Sequence, residues 1–225
     1  MKLIARYYLE NQKDKKVVRQ LLDQYILQCD PNASLVLWEA TADAALKQAA
    51  KRPPLQIDQI VITKPEMEVI KGIKGKQGQR LGLTVLCLAK YWDICRENNN
   101  HWLTNKNTEI MNMANISASI KRQGALYRQL EDDGLLHFPE RVDSISMQVL
   151  FMQDGEPELV VKDFRNIGYQ YLMYQGEPFF ECEECGIVTK IKNPGSGRPP
   201  KYCPSCAAKI QTQQKVNYAM RRSFA

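Results

Sequence analysis

Glu181-Cys182-Glu183-Glu184-Cys185-Gly186 and Lys201-Tyr202-Cys203-Pro204-Ser205-Cys206 carry the pattern that organises the end of this chain. Seventeen residues, 186–202, separate the two Cys-x2-Cys pairs. Two such pairs at this separation form a zinc-ligand pattern. Each pair can occupy two corners of a tetrahedron, and zinc favours four soft ligands. Cys182, Cys185, Cys203 and Cys206 are therefore expected to hold one zinc ion. Four protein ligands leave no open position, so the expected site is structural. Iron on the same thiolates is the alternative metal. Gly186 follows the first pair, where a tight knuckle favours positive φ.

Outward from the cysteines, the loop Asn193-Pro194-Gly195-Ser196-Gly197-Arg198 is expected to join strands at 187–191 and 201–202. Residues 207–222 read as a helix, polar on nearly every face apart from Ile210 and Tyr218. A second knuckle running into a helix suggests a treble-clef-like arrangement, with a plain zinc ribbon as the close alternative. Residues 186–225 contain eight basic side chains and no acidic one, whereas the rest of the chain is close to neutral. That asymmetry points to an anionic partner. Arg198, Lys201, Lys209, Lys215, Arg221 and Arg222 are the candidate phosphate contacts.

Upstream, residues 63–163 read as a winged helix-turn-helix. A helix covers Leu81 to Cys95, a shorter one Thr104 to Ala114, and a third Ser119 to Asp132, closed by Gly134. Asn115-Ile116-Ser117 is the turn between the last two, with Asn able to adopt positive φ and Ser able to cap. A strand from Ser144 to Met152, a turn at Asp154-Gly155 and a return from Glu158 to Lys162 are expected to form the hairpin wing. On the third helix, Leu126, Leu130, Tyr127, Ile120 and Gly124 share one arc. Lys121, Arg122, Ala125, Arg128 and Gln129 share the other, while Gln123 falls on the apolar arc and does not fit. A face with basic groups, Ala and Gln suits a recognition helix. Basic side chains meet phosphates, and Arg and Gln can read base edges. A solvated face on a protein-binding helix is the competing reading.

The aromatic run from Phe164 to Phe180 fits a half-buried β connector over 164–180 better than a base-stacking platform. Thr63 and Glu66, with Pro65 between them, form a capping box. Gly72-Ile73-Lys74-Gly75-Lys76-Gln77-Gly78 is not a phosphate loop. Ile70 stands where its first glycine belongs and Gln77 where its Ser or Thr belongs. It reads as a flexible basic loop. Residues 1–62 are expected to be mainly helical, with a short strand at 57–62 and no chemical motif; they offer a surface for a host protein.

The 225 residues, 44% apolar and 25% charged, fit an ordinary globular protein of a few small domains. No apolar run is long enough for a membrane span, and the start lacks a signal-peptide pattern. The expectation is a cytoplasmic protein whose seven cysteines do not form a disulfide framework. Cys29, Cys87 and Cys95 are expected to be buried small hydrophobes. The fold class is α+β: a helical region 1–62, the winged domain 63–163, the connector 164–180, and a four-cysteine zinc module with a basic helix, 181–225.

Cys-Glu-Glu-Cys-Gly, Arg-Pro-Pro-Lys-Tyr-Cys-Pro-Ser-Cys-Ala and the following Gln-rich basic helix resemble the zinc-binding end of phage and integrative-element proteins of Gram-positive bacteria. The module is also partly similar to the zinc domain of CGNR-type regulators, although Ala-Ala-Lys follows Cys206 and the Gly-Asn-Arg triplet is missing. The stretch 83–136 resembles the winged helices of DnaD-type replication proteins and bacterial transcription factors. These resemblances imply nucleic-acid binding in a mobile-element context.

The leading expectation is a non-enzymatic DNA-binding protein, a transcriptional regulator. It reads duplex DNA through Lys121, Arg122, Arg128 and Gln129 and clamps flanking phosphates with the zinc module. A replication factor binding single strands or a helicase, and an effector binding a host protein, are the alternatives. No membrane partner is expected, and oligomeric state is not legible.

Overall fold

The computed structural model describes residues 1–12, 14–51, 57–96, 98–140, 146–192, 194–195 and 200–223, with backbone alone at 12, 219 and 221–223. The chain divides into two compact units, Met1–Gln56 and Ile57–Ala225. The boundary lies six residues before the expected one, because residues 60–62 are paired into the second unit.

Among the described residues the first unit is three helices, α1 (Lys2–Gln12), α2 (Lys15–Cys29) and α3 (Leu35–Lys51), each packed on the other two. Asp14 caps α2 by accepting the Lys16 N–H at 2.8 Å. Ala42, Ala45 and Ala49 recur at helical spacing on the buried face of α3, and Ala45 and Ala49 cluster with Ala5 and Leu22. Such small residues let the helices approach closely but leave a thin core. Cys29, expected inside, is exposed at the end of α2; Cys87 is buried and Cys95 half-buried.

The second unit is built around one helix. Strand β1 (Ile60–Thr63) leads into α4 (Lys64–Gly72), whose capping box is formed: the Thr63 N–H donates to Glu66 Oε2 at 2.8 Å. Then α5 (Lys76–Cys95) runs through the centre. Residues 81–89 are buried on every side, because α4, α6 (Asn107–Met113), α7 (Ile120–Asp132), α8 (Ile167–Tyr174) and three strands pack around it. Fully buried Glu66 also accepts Lys90 Nζ at 2.7 Å and the Gln153 N–H at 3.0 Å, tying α4, α5 and the chain at Gln153 together.

Among the described residues, three small antiparallel sheets complete the unit. One pairs β1 with β5 (Pro157–Val161), setting Ile60 against Val161 and Ile62 against Leu159. The second has the order β2-β4-β3, from Trp102–Leu103, Met147–Val149 and Leu136–His137. The third pairs β6 (Phe179–Glu181) with β7 (Val188–Lys190). The expected hairpin of 144–152 with 158–162 is therefore not made; positions 144 and 145 lie outside the described residues. Strand β4 joins the β2 and β3 strands, and β5 crosses to β1. Gly155 marks a close crossing rather than a tight turn, since a Cβ there would lie 2.8 Å from Pro65 Cδ.

The expected β connector 164–180 is instead centred on a helix, α8, and only its end at Phe179 is strand. Ile167 and Tyr171 are buried four residues apart, whereas Tyr169 and Met173 are only partly covered, so the burial period is that of a helix. Gly168 lets α8 meet the end of α6: a Cβ there would sit 1.9 Å from the Ala114 carbonyl oxygen. Asn115 takes φ = 54° in the turn before α7 as expected, but the α7 cap is Ser119, not Ser117. The glycine-rich loop is a short bend ending at Gly75 (φ = 81°), the N-cap of α5. Among the described residues no helix is long and apolar enough to cross a membrane.

Candidate metal centre and nucleic-acid interface

The β6–β7 hairpin carries the first cysteine pair at its tip. The Cys182 N–H donates to the Ile187 carbonyl at 3.1 Å and the Gly186 N–H to the Cys182 carbonyl at 2.9 Å, with Gly186 at φ = 70°. Cys203 precedes α9 (Pro204–Ser223) and Cys206 lies in its first turn. The expected hairpin of 187–191 with 201–202 is replaced. Strand β7 pairs back onto β6, while Lys201 touches only the knuckle, its carbonyl accepting the Glu183 N–H at 3.0 Å. Residues 193 and 196–199 lie outside the described residues.

The four sulfur atoms lie within 4.8 Å of one another, and Cys185 Sγ and Cys203 Sγ are 3.8 Å apart. A tetrahedron with metal–sulfur bonds of ~2.3 Å has edges of roughly 3.8 Å, so the donor set fits a four-thiolate ion. Cys182, Cys203 and Cys206 are buried and Cys185 is half-buried, so the four sulfur atoms face one another with little exposure. Burial works to raise the Cys182 thiol, but the N–H groups of Cys203, Cys185 and Glu184 outweigh it and bring it down to about 6. Hydrogen bonding with Cys185 and Cys203 pushes the Cys206 thiol up to about 12. A divalent ion held by these four sulfur atoms would favour the thiolate form of its ligands.

A polar chain ties this centre to the helical core. Arg165 Nη2 donates to the Cys185 carbonyl at 2.5 Å, and Asn166 Nδ2 to the Val188 carbonyl at 2.8 Å. The Asn166 Oδ1 accepts from Asn115 Nδ2 at 2.9 Å, and the Asn115 carbonyl accepts from Arg80 Nη1 at 2.8 Å. Of these four, Asn115 alone drew notice in the sequence, as a turn residue. The others carry no local signal, because their partners are distant in the chain.

On α7, Lys121, Arg122 and Arg128 are exposed along one face, beside Gly124 and Ala125. Ile120, expected on the apolar arc, is instead 85% exposed, and Gly124 is exposed too; the buried contacts are made by Leu126 and Leu130. A shallow groove follows this face, lined by Ile120, Lys121, Gly124, Ala125, Arg128 and Asp132. The misfit Gln123 locks α7 to α6, accepting Asn107 Nδ2 at 2.6 Å and donating to the Ala118 carbonyl at 2.8 Å. Gln129 is half-buried and donates to the Lys74 carbonyl at 3.0 Å.

The remaining candidates are divided. Lys201 is ion-paired with Glu183 at 3.0 Å. Lys209 and Lys215 are exposed on α9, which beyond its first turn at the cysteine cluster has no extensive packing on another element among the described residues. Arg198 lies outside the described residues, and so do the side chains of Arg221 and Arg222. The α7 residues thus come together on one surface, whereas the α9 residues stand along a separate helix.

Fold and site together define an α+β protein with a closed four-cysteine cluster suited to a metal ion. Comparison with protein-family models, curated proteins and solved structures finds no match to this chain.

Proposed function

We propose that this chain is a non-enzymatic duplex-DNA-binding protein, a transcriptional regulator of mobile-element type, with a winged helix-turn-helix and a structural zinc module. The observation that carries the reading is the exposed face of α7, where Lys121, Arg122 and Arg128 flank the small residues Gly124 and Ala125. Basic groups beside small ones let a helix approach a groove while its long side chains reach phosphates and base edges. The element order α5, β2, α6, α7, β3, β4 and the sheet order β2-β4-β3 support a winged helix. In that reading the segment after β4 is not the wing, because β5 pairs with β1.

Zinc is the metal proposed, on the strength of the four-thiolate donor set and its closed geometry. The knuckle on a hairpin and the second pair at a helix start support the treble-clef-like form over a ribbon. The ion would supply no chemistry beyond holding β6–β7 to the start of α9. From there α9, exposed from 211 to 218, would present Lys209 and Lys215 to backbone phosphates.

A single-strand reading has less support, because Tyr171 is buried and Tyr169 packs on Phe179. A protein partner for the first unit has its own observation: Leu3, Tyr7, Val36 and Leu37 are exposed on α1 and α3. Sequencing the nucleic acid that copurifies with the protein from its host tests the leading reading. An enriched duplex sequence is expected, whereas recovery of a stoichiometric protein with no nucleic acid would overturn it.

A further inference from the structure

The bend between α4 and α5 is fixed in place by contacts its composition does not advertise. Ile73 is buried against α5 over Gly78 and Gly82. A Cβ at Gly78 would lie 2.8 Å from Ile73 Cγ2, and one at Gly82 2.5 Å from Ile73 Cδ1. Two glycines four residues apart thus make the seat for one apolar side chain. From the other side, Gln129 donates to the Lys74 carbonyl at 3.0 Å, and Arg122 Nε donates to Gln77 Oε1 at 3.4 Å. Arg122 and Gln129 are two helical turns apart, about 10 Å along α7. The bend and the start of α5 therefore lie along one edge of α7.

This arrangement adds charge to the α7 surface. Lys74 is exposed and has no ion-pair partner among the described residues, as is true of Lys121 and Arg128. Lys76, also exposed, is paired with Glu177. The first turn of α5, capped by a glycine without a side chain, contributes further positive potential.

We infer that the Ile73–Lys76 bend is part of the same nucleic-acid surface as α7, with Lys74 and Lys76 contacting the backbone phosphates of a duplex and Gln129 acting as a positioning residue. This rests on the DNA-binding reading above. A duplex fits better than a broad anionic plane such as a lipid surface. The positive groups are confined to one exposed face of α7 and the bend tied to its edge through Gln129, a narrow track that suits a line of backbone phosphates. Gln129, expected from sequence to read a base, spends its amide N–H on the Lys74 carbonyl and so sets where Lys74 stands.

Fluorescence anisotropy with two unrelated duplexes of equal length, titrated between about 50 and 200 mM salt, tests this. Lys74→Ala should reduce the slope of log affinity against log salt by about one, equally on both duplexes. Gln129→Ala should weaken binding in the wild-type background without changing the ratio of affinities for the two sequences, and should add nothing in a Lys74→Ala background. Thermal melting of each variant checks that the fold is retained. Wild-type binding that Arg128→Ala weakens, with a slope unchanged by Lys74→Ala plus Lys76→Ala, would overturn the inference while leaving the parent reading intact. Wild-type protein with no salt-dependent duplex binding would overturn both. Competition by polyglutamate as effective as by duplex at equal charge would reassign the surface to an acidic protein.

Discussion

Asp93 shows how single side chains hold the less regular parts of this fold. Its carboxylate accepts the His101 N–H and the Asn99 amide, each at 2.9 Å, and pairs with His101 Nδ1. These contacts pin a loop in which Asn98, Asn100 and His101 all have positive φ. Burial alone would raise the carboxyl, but the hydrogen bonds from Asn99 and His101 outweigh it and hold it below its usual range. A depressed folded-state value stabilises the protein above the unfolded value of ~3.9, and that contribution is lost as pH falls through the folded value. Denaturant unfolding followed from pH 7 downward should therefore lose stability below about pH 4. Asp93→Asn should flatten that part of the profile; an unchanged acid limb would remove Asp93 from the explanation.

At the scale of elements, the most legible parts were those whose signals are local. The cysteine spacing anticipated four sulfur atoms in one cluster, Thr63 and Glu66 anticipated the α4 cap, and Asn115 anticipated a left-handed turn. Less legible were features set by partners far along the chain. Tyr169, Tyr171 and Met173 alternate like a strand, yet α8 forms because Ile167 and Tyr171 enter the α5 core together. Strand β5 resembled the return of a hairpin, but β1, almost one hundred residues earlier, offered Ile60 and Ile62 as partners. Ile120 looked internal by angle, but it starts α7 beyond the reach of the core. Gly168 is the plainest case of a distant constraint. Gly168→Ala drives a Cβ into the Ala114 backbone, where no flexible side chain can give way. A loss at or above the upper end of ~1–3 kcal/mol is expected in denaturant unfolding, whereas Gly124→Ala, with open space around it, should cost nothing of that kind. Equal effects of the two would contradict the packing assigned to α8.

For the molecule as a whole, the cysteine cluster and the helical core of the second unit form one connected body. Arg165 and Asn166 hold the knuckle from α8, and Asn115 carries the contact on to Arg80 of α5. Removing the metal should loosen β6, β7 and the start of α9 first, then weaken protection around Asn166 and Asn115. The centre of α5 should stay protected. Hydrogen exchange of metal-loaded and chelated protein reads this directly. Uniform loss of protection through α5 would contradict a local role, and metal analysis far below one ion per chain would contradict the site itself. The proposed binding of duplex DNA rests on the outer face of α7. Duplex binding measured across a salt series for wild type and for the Lys121→Ala, Arg122→Ala, Arg128→Ala triple variant tests it most directly. A recognition role for α7 predicts a steep wild-type salt dependence, and a triple variant that binds far more weakly with a slope reduced by up to about three. A folded triple variant that binds duplex DNA with wild-type affinity and slope would contradict it.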